Sequence, residues 1–414
     1  MKITVAVLFV AAFLATGKIH AYPIDGFGET GIRRLEHVRL VQAGEMAGPK
    51  LTVGAQKPLT YVKLNLLGRA DSLKDLPTVD AALQVKLEAL FPDRHESYSI
   101  SLMEITPDRP IRYAAYQSDR LFSPGSVGKL AIVVGLLTEL KRLYPDDVDK
   151  RRDILRSRMV TAGKWVVGDA HVVPVYNLDD HSFESRAIRE GDVFSLYEWV
   201  DHMVSASANS AASTVWKEVV LMRAFDTAYP PSEADEALFW RQTGRAMLQE
   251  MSLSVVNDPL RSVGISAEDW QLGTFFTRYG QQVVPGTSSY ANPRALMTFL
   301  MRIEQGQFVD AWSSLEIKRL MYMTARRIRY ASSSGIARSG IYFKSGSLYR
   351  CKPEPDFKCR KYMGNVENAM NSVAIVERSI GQVYLVALMS NVLRKNSAED
   401  HQALATEIDR ILGD

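Results

Sequence analysis

The sequence predicts an α/β protein of the α+β kind: an antiparallel sheet built from N- and C-terminal segments and flanked by helices, beside an all-helical lobe. Two observations carry this expectation. Runs rich in β-branched and aromatic residues lie near both ends of the chain, "YSISLMEI" and "IRYAAYQ" on one side and "IYFKSGS", "NSVAIVERS" and "QVYLVALMSNV" on the other. Between them, apolar residues recur at helical spacing behind capping residues. Strands at the ends and helices in the middle imply a sheet closed by the termini, with a helical lobe alongside.

Taken in order, the chain opens with Met1 and Lys2, an apolar run from Val5 to Ala15, and "TGKIHA" ending at Ala21. The run is too short to span a bilayer and ends in a small residue, so residues 1–21 read as a secretory signal cleaved near Ala21. The mature chain is expected to begin at Tyr22 and to be secreted or periplasmic. No later segment has the length and apolarity of a membrane span. The formal charge of +3 includes no basic stripe or aromatic-basic motif, so nucleic acid is not an expected partner. Seven histidines are scattered and none lies near the two cysteines, so neither a metal nor a cofactor is called for. In an oxidising compartment Cys351 and Cys359, close together in "YRCKPEPDFKCRKY", are expected to pair.

Residues 22–76 mix Gly, Pro and charge and read as an irregular extension. The domain proper is expected over 77–414, with a sheet lobe from 77–125 and 338–414 and a helical lobe over 126–337. A helix is predicted from Val79 to Phe91, capped by Thr78, with Leu83, Leu87 and Leu90 on one stripe. A strand hairpin follows, turning at "TPDRP". From Lys129 to Leu143 nearly every side is apolar, which predicts a helix buried in the middle of the protein. Ser195 with Glu198 forms a capping box ahead of Leu196, Val200, Met203 and Val204. Asn292 caps a helix from Pro293 to Gln305 that Gly306 stops. Three strands after Ile341, the last two joined by Ile380 and Gly381, lead to a final helix opened by Ser397 and Asp400.

Ser126 and Lys129 stand three apart at the mouth of the apolar helix, in "SPGSVGK". Residues at that spacing share a helix face, so the amine can take the proton from the hydroxyl and make it a nucleophile. A serine there also serves as an ordinary helix cap, and the tetrad alone decides nothing. Two further short elements follow: Ser207, Ala208 and Asn209 at the end of the capped helix, and Lys344, Ser345 and Gly346 on the first strand after the helical stretch. By residue type Ser207 and Asn209 also suit a plain loop or cap.

In order and placement these three elements resemble the S-x-x-K, S-D-N and K-T-G signatures of the active-site-serine β-lactamases and penicillin-binding proteins. The resemblance extends through "SLYEWVDHMVSASANSAAS", "NPRALMTFLMRIEQGQF" and "SGIYFKSGSL", covers roughly Tyr98 onward, and is greatest for class A. It implies Ser126 as nucleophile, Lys129 as its base, and the backbone N–H groups of Ser126 and Ser347 as oxyanion hole. It further implies Ser207 as proton donor to the departing nitrogen, Asn209 as a positioning group, and Lys344, Ser345 and Gly346 as the binding strand for a substrate carboxylate. The expected partner is a small-molecule or peptide substrate, β-lactam or peptidoglycan-like.

The chain departs from class A at Ala208, where Asp is usual, and at Ser345, where Thr is commoner. "FDTAYPPSEADEALFW" reads as an insertion. More consequentially, class A carries a deacylating glutamate on a loop before the helix matched by Pro293 to Gln305, and "QLGTFFTRYGQQVVPGTSSYA" contains no carboxylate. Glu268, just upstream, is the candidate substitute. The expected function is therefore a class A β-lactamase-like serine hydrolase. The alternatives are a D-Ala-D-Ala peptidase or other amide or ester hydrolase with poor β-lactam turnover, and a non-catalytic penicillin-binding sensor.

Overall fold

A computed structural model describes residues 25–413; the expected signal segment lies outside the described residues. Five antiparallel strands form the sheet: Ser99–Glu104, Arg112–Tyr116, Gly340–Arg350, Glu367–Glu377 and Val383–Asn391. Ser99–Glu104 pairs with its hairpin partner Arg112–Tyr116 on one side and with Val383–Asn391 on the other, and Gly340–Arg350 is the far edge. The sheet is therefore assembled from both ends of the chain, as its strand signals predict.

Alternation along the strands explains why the sheet is covered twice. Val383, Leu385, Ala387 and Met389 point into the main core, while Tyr384, Val386 and Leu388 point into a second. The second core is closed by the helices Ala81–Glu88 and Ala398–Gly413 through Leu83, Leu87, Leu404 and Ile408. The main core is centred on the helix Lys129–Leu143, which is buried on nearly every side from Lys129 to Leu137. It packs against Asn209–Phe225 and Arg245–Arg261. Gly135 is needed there because a Cβ would stand 2.5 Å from Val255 O.

The capping box at Ser195 and Glu198 and the Asn292 cap form as read, the latter accepting from Ala295 N at 2.8 Å. The first predicted helix is shorter, Ala81–Glu88, and its cap is Asp80, which accepts from Leu83 N at 2.8 Å, rather than Thr78. The cause is a tertiary hydrogen bond: Asp80 N donates to Tyr113 O, which holds the chain extended against the sheet up to that residue. The expected insertion folds as the helix Glu233–Gln242 on the surface.

Residues 25–76 are less irregular than their composition suggests. They hold the helices Gly26–Thr30 and Arg33–Ala43, and Ile32 and Leu35 are fully buried. Arg34 reaches Asp201 on the helix Leu196–Val204 with two bonds of 2.5 and 2.6 Å and also donates to Met323 O. Farther on, Lys57 pairs with Glu377, and Asn65 N donates to Glu304 at 2.6 Å. Cys351 and Cys359 are disulfide-bonded, as expected. Among the described residues no helix is long and apolar enough to cross a membrane, and no cluster of His, Cys, Asp and Glu suits a metal ion.

Candidate active site

The turn Gly125–Gly128 is a single 3-10 turn that feeds directly into the buried Lys129–Leu143 helix. Two glycines let it touch the edge strand. Gly125 has φ +51, and a Cβ there would stand 2.6 Å from Ser347 N; one on Gly346 would stand 2.2 Å from Pro124 O. Asn371, which faces Gly346 across the ladder, donates to Ser123 O and Pro124 O at 2.9 and 3.0 Å. Backbone contact and amide tether together lock Ser126 against Ser347 at the bottom of a groove that both residues line.

Lys129 is completely buried one helical turn behind Ser126. Its Nζ lies 3.0 Å from Ser126 Oγ and donates to Ser207 O at 2.6 Å and to Asn209 Oδ1 at 2.8 Å. A neutral amine has two N–H donors and one lone pair; the two carbonyl oxygens take the donors, and the lone pair is left for the serine hydroxyl. Burial pulls the Lys129 ammonium down to about 7, with the Asp169 charge opposing and Arg326 reinforcing the fall. The ring of Phe276 covers Nζ with its centroid 4.8 Å away.

Ser207 sits between two lysines in the loop that joins the helices Leu196–Val204 and Asn209–Phe225, with φ +65, an uncommon conformation for a non-glycine residue. That backbone twist turns its carbonyl to Lys129 while its Oγ accepts from Lys344 Nζ at 2.9 Å. Lys344 is buried on the edge strand and also donates to Ser345 O. Burial first, then the charges of Lys129, Arg329 and Arg326, hold it well below the usual lysine range. Ser126, Lys129, Ser207, Asn209 and Lys344 thus form one hydrogen-bonded chain, although their elements are far apart in sequence.

Comparison with solved structures bears on this arrangement. TLA-3 extended-spectrum β-lactamase aligns with a TM-score of 0.52 at 12% identity, covering 80% of this chain and 97% of its own. A β-lactamase from Chitinophaga pinensis aligns at 0.51 and 15% identity, covering 80% and 98%. A PBP-A mutant, solved as an acyl-enzyme complex with penicillin G, aligns at 0.50 and 14% identity, covering 82% and 99%. The chain has the fold of the serine β-lactamase and penicillin-binding protein superfamily. No protein-family model matches it. No curated protein matches it by sequence.

Within this β-lactamase-like fold the groove has a volume of about 560 Å³, and Ser126, Ser207, Asn209, Ser345, Gly346 and Ser347 all line it. Another part of its wall comes from the segment 272–289, which presents the hydroxyls of Thr274, Thr287, Ser288 and Ser289, the amide of Gln281, and apolar side chains including Phe276. Glu268, the candidate substitute base, is not among the residues that line the groove. It is exposed on a turn held from behind, where Arg261 donates to Ile265 O and Ser266 O and the fully buried Trp270 follows. Its neighbour Asp269 is occupied by Asn292 and Arg294.

Several groove residues carry no signature in the sequence. His171 lines the wall beside Asn209, and its Nδ1 is 2.6 Å from Asp169, whose other oxygen accepts from Ser210 N and Oγ. These bonds hold the Asp169 carboxyl well below the usual range, against the effect of its burial. Arg326 and Arg329 line the groove from the loop after the helix Ala311–Tyr322. Arg329 is buried, adopts φ +53, and donates to Gly346 O at 2.6 Å. The one local sign of the two arginines is the run of three in "TARRIRY", ahead of the binding strand.

Proposed function

We propose that this protein is a serine hydrolase that works through an acyl-enzyme on Ser126, reacts with β-lactams and related carboxylate-bearing amides or esters, and acts outside the cytoplasm. The observation that carries the reading is the desolvated Lys129 amine, 3.0 Å from Ser126 Oγ with both of its N–H donors engaged elsewhere. Ser126 Oγ attacks the carbonyl carbon as its proton passes to Lys129, and the oxyanion forms between the backbone N–H groups of Ser126 and Ser347. Lys344, bonded to Ser207 Oγ, polarises that hydroxyl so that it hands its proton to the leaving nitrogen and takes up the one that Lys129 received, which leaves Lys129 a base again. Ser345 and Lys344 hold the substrate carboxylate.

The second step favours one of the alternative readings. The 272–289 wall offers no carboxylate to activate water, and an aromatic ring stands over Lys129. Hydrolysis of a bulky acyl-enzyme is therefore expected to be slow, as in a penicillin-binding peptidase, with Lys129 the base for both half-reactions. Intact-mass measurement of the mature protein mixed with benzylpenicillin tests both points. An adduct that persists for minutes or longer supports the peptidase-like reading, and one that vanishes within seconds supports efficient β-lactamase turnover. No adduct on the wild type, or an undiminished one on Ser126→Ala, overturns the acyl-enzyme reading. Export is checked separately by N-terminal sequencing of secreted material, which is expected to start at Tyr22.

A further inference from the structure

The groove carries more positive charge than one substrate carboxylate needs. Three arginines line it. Arg350 is neutralised by Glu367 at 2.7 Å. Arg329 is spent on Gly346 O and lies 5.0 Å from the Tyr362 ring. Arg326 differs from both: among the described residues its hydrogen-bond partner is Val172 O, at 2.9 Å, and no carboxylate pairs with it. The nearby Asp169 carboxylate is already engaged by His171 and by Ser210 N and Oγ.

The bond to Val172 O also fixes where Arg326 stands. Val172 adjoins His171 in the chain, and Ala325 N donates to Ser205 Oγ at 2.8 Å, which sets Arg326 beside the loop that carries Ser207. Its charge acts on both Lys129 and Lys344, the two amines that flank Ser207. Since Ser207 is the donor to the departing group in the reading above, this is the leaving-group side. The 272–289 wall, by contrast, brings no charged side chain to the groove. A guanidinium that lines the groove without a carboxylate partner gains a charge-assisted bond when a ligand brings an anion.

Resting on acyl transfer at Ser126, we infer that Arg326, flanked by His171, forms a second carboxylate subsite on the leaving-group side, so that preferred substrates expel a group bearing two carboxylates. The first carboxylate meets Ser345 and Lys344, and the second meets Arg326. A singly charged or neutral leaving group leaves the Arg326 guanidinium without an anionic partner and is at a disadvantage.

Two thioesters that share an N-benzoyl-D-alanyl acyl group test this, one of mercaptoacetic acid and one of mercaptosuccinic acid, which adds a single carboxylate to the leaving thiol. In each, Ser126 Oγ bonds to the carbonyl carbon, the C–S bond breaks, and the thiolate leaves with the proton relayed through Ser207; water then frees the acid. Thiol release by the wild type is expected to show a kcat/KM about tenfold higher for the mercaptosuccinate ester, the worth of one charge-assisted contact. Arg326→Gln should bring the ratio to about one, Arg326→Lys should retain part of it, and added salt should shrink it. Equal rates for the two esters, nil included, in a protein that benzylpenicillin acylates overturn the second subsite alone, as does a preference that survives in Arg326→Gln. Failure of benzylpenicillin to label Ser126 overturns the acyl-enzyme reading beneath it.

Discussion

At the residue scale the chemistry rests on which groups surround one amine. Lys129 is pulled to about 7 by burial, so near neutral pH a large fraction is the neutral base and its lone pair faces Ser126. The sign of the pH dependence follows: the protonated form cannot accept a proton, so the acylation rate should fall below about pH 7 and level off above it. Stopped-flow acylation across pH 5 to 9 checks this. Lys129→Met should lower the plateau rate above pH 7 by about 10²- to 10⁴-fold and remove the fall below it. Ser126, Lys129, Asn209 and Lys344 were legible in the sequence because nucleophile, base and anion binder must be particular residue types at short spacings. His171, Asp169 and Arg326 were not, because nothing local in the chain marks the wall that a distant loop will complete.

At the element scale, two segments depart most from what their composition suggests. The helix Arg33–Ala43 was hidden because the partner that makes Arg34 a core residue, Asp201, is far away in sequence. Arg34→Ala leaves the Asp201 carboxylate buried without its cation, which costs about 3 to 5 kcal/mol; urea titration of the variant measures it. The strands and the Lys129–Leu143 helix were legible because apolar period and caps are local signals, whereas the start of Ala81–Glu88 moved because a sheet carbonyl claimed Asp80 N. The second segment is the 272–289 wall. Its missing carboxylate was plain in the sequence, but only the structure shows that Phe276 covers Lys129. Phe276→Glu would put a carboxylate at that spot, and the benzylpenicillin adduct should then disappear faster than in the wild type, as followed by intact mass.

At the scale of the whole molecule, the sheet and helical regions are pinned together by a buried polar cluster. Glu377 receives Lys318 and Lys57, the hydroxyl of Tyr342 and the amide of Asn65. Burial opposes its ionisation, but Lys318 and then Lys57 outweigh it and hold the carboxyl at about 2. Because the folded value is depressed, the stability it contributes, about 3 kcal/mol, is present above the unfolded value near 4.5 and lost as pH falls toward 2. Thermal unfolding from pH 6 to 2.5 should show this loss, and Glu377→Gln should flatten it. The close backbone contact of Gly125 with Ser347 has a consequence of another kind. Ser126, the proposed nucleophile, comes from the first third of the chain and the backbone amide of Ser347 from the last, so a chain whose edge strand has yet to dock lacks the assembled site. Until they meet the proposed site is incomplete, and a fluorescent penicillin added during refolding would report the moment at which the two ends of the polypeptide come together.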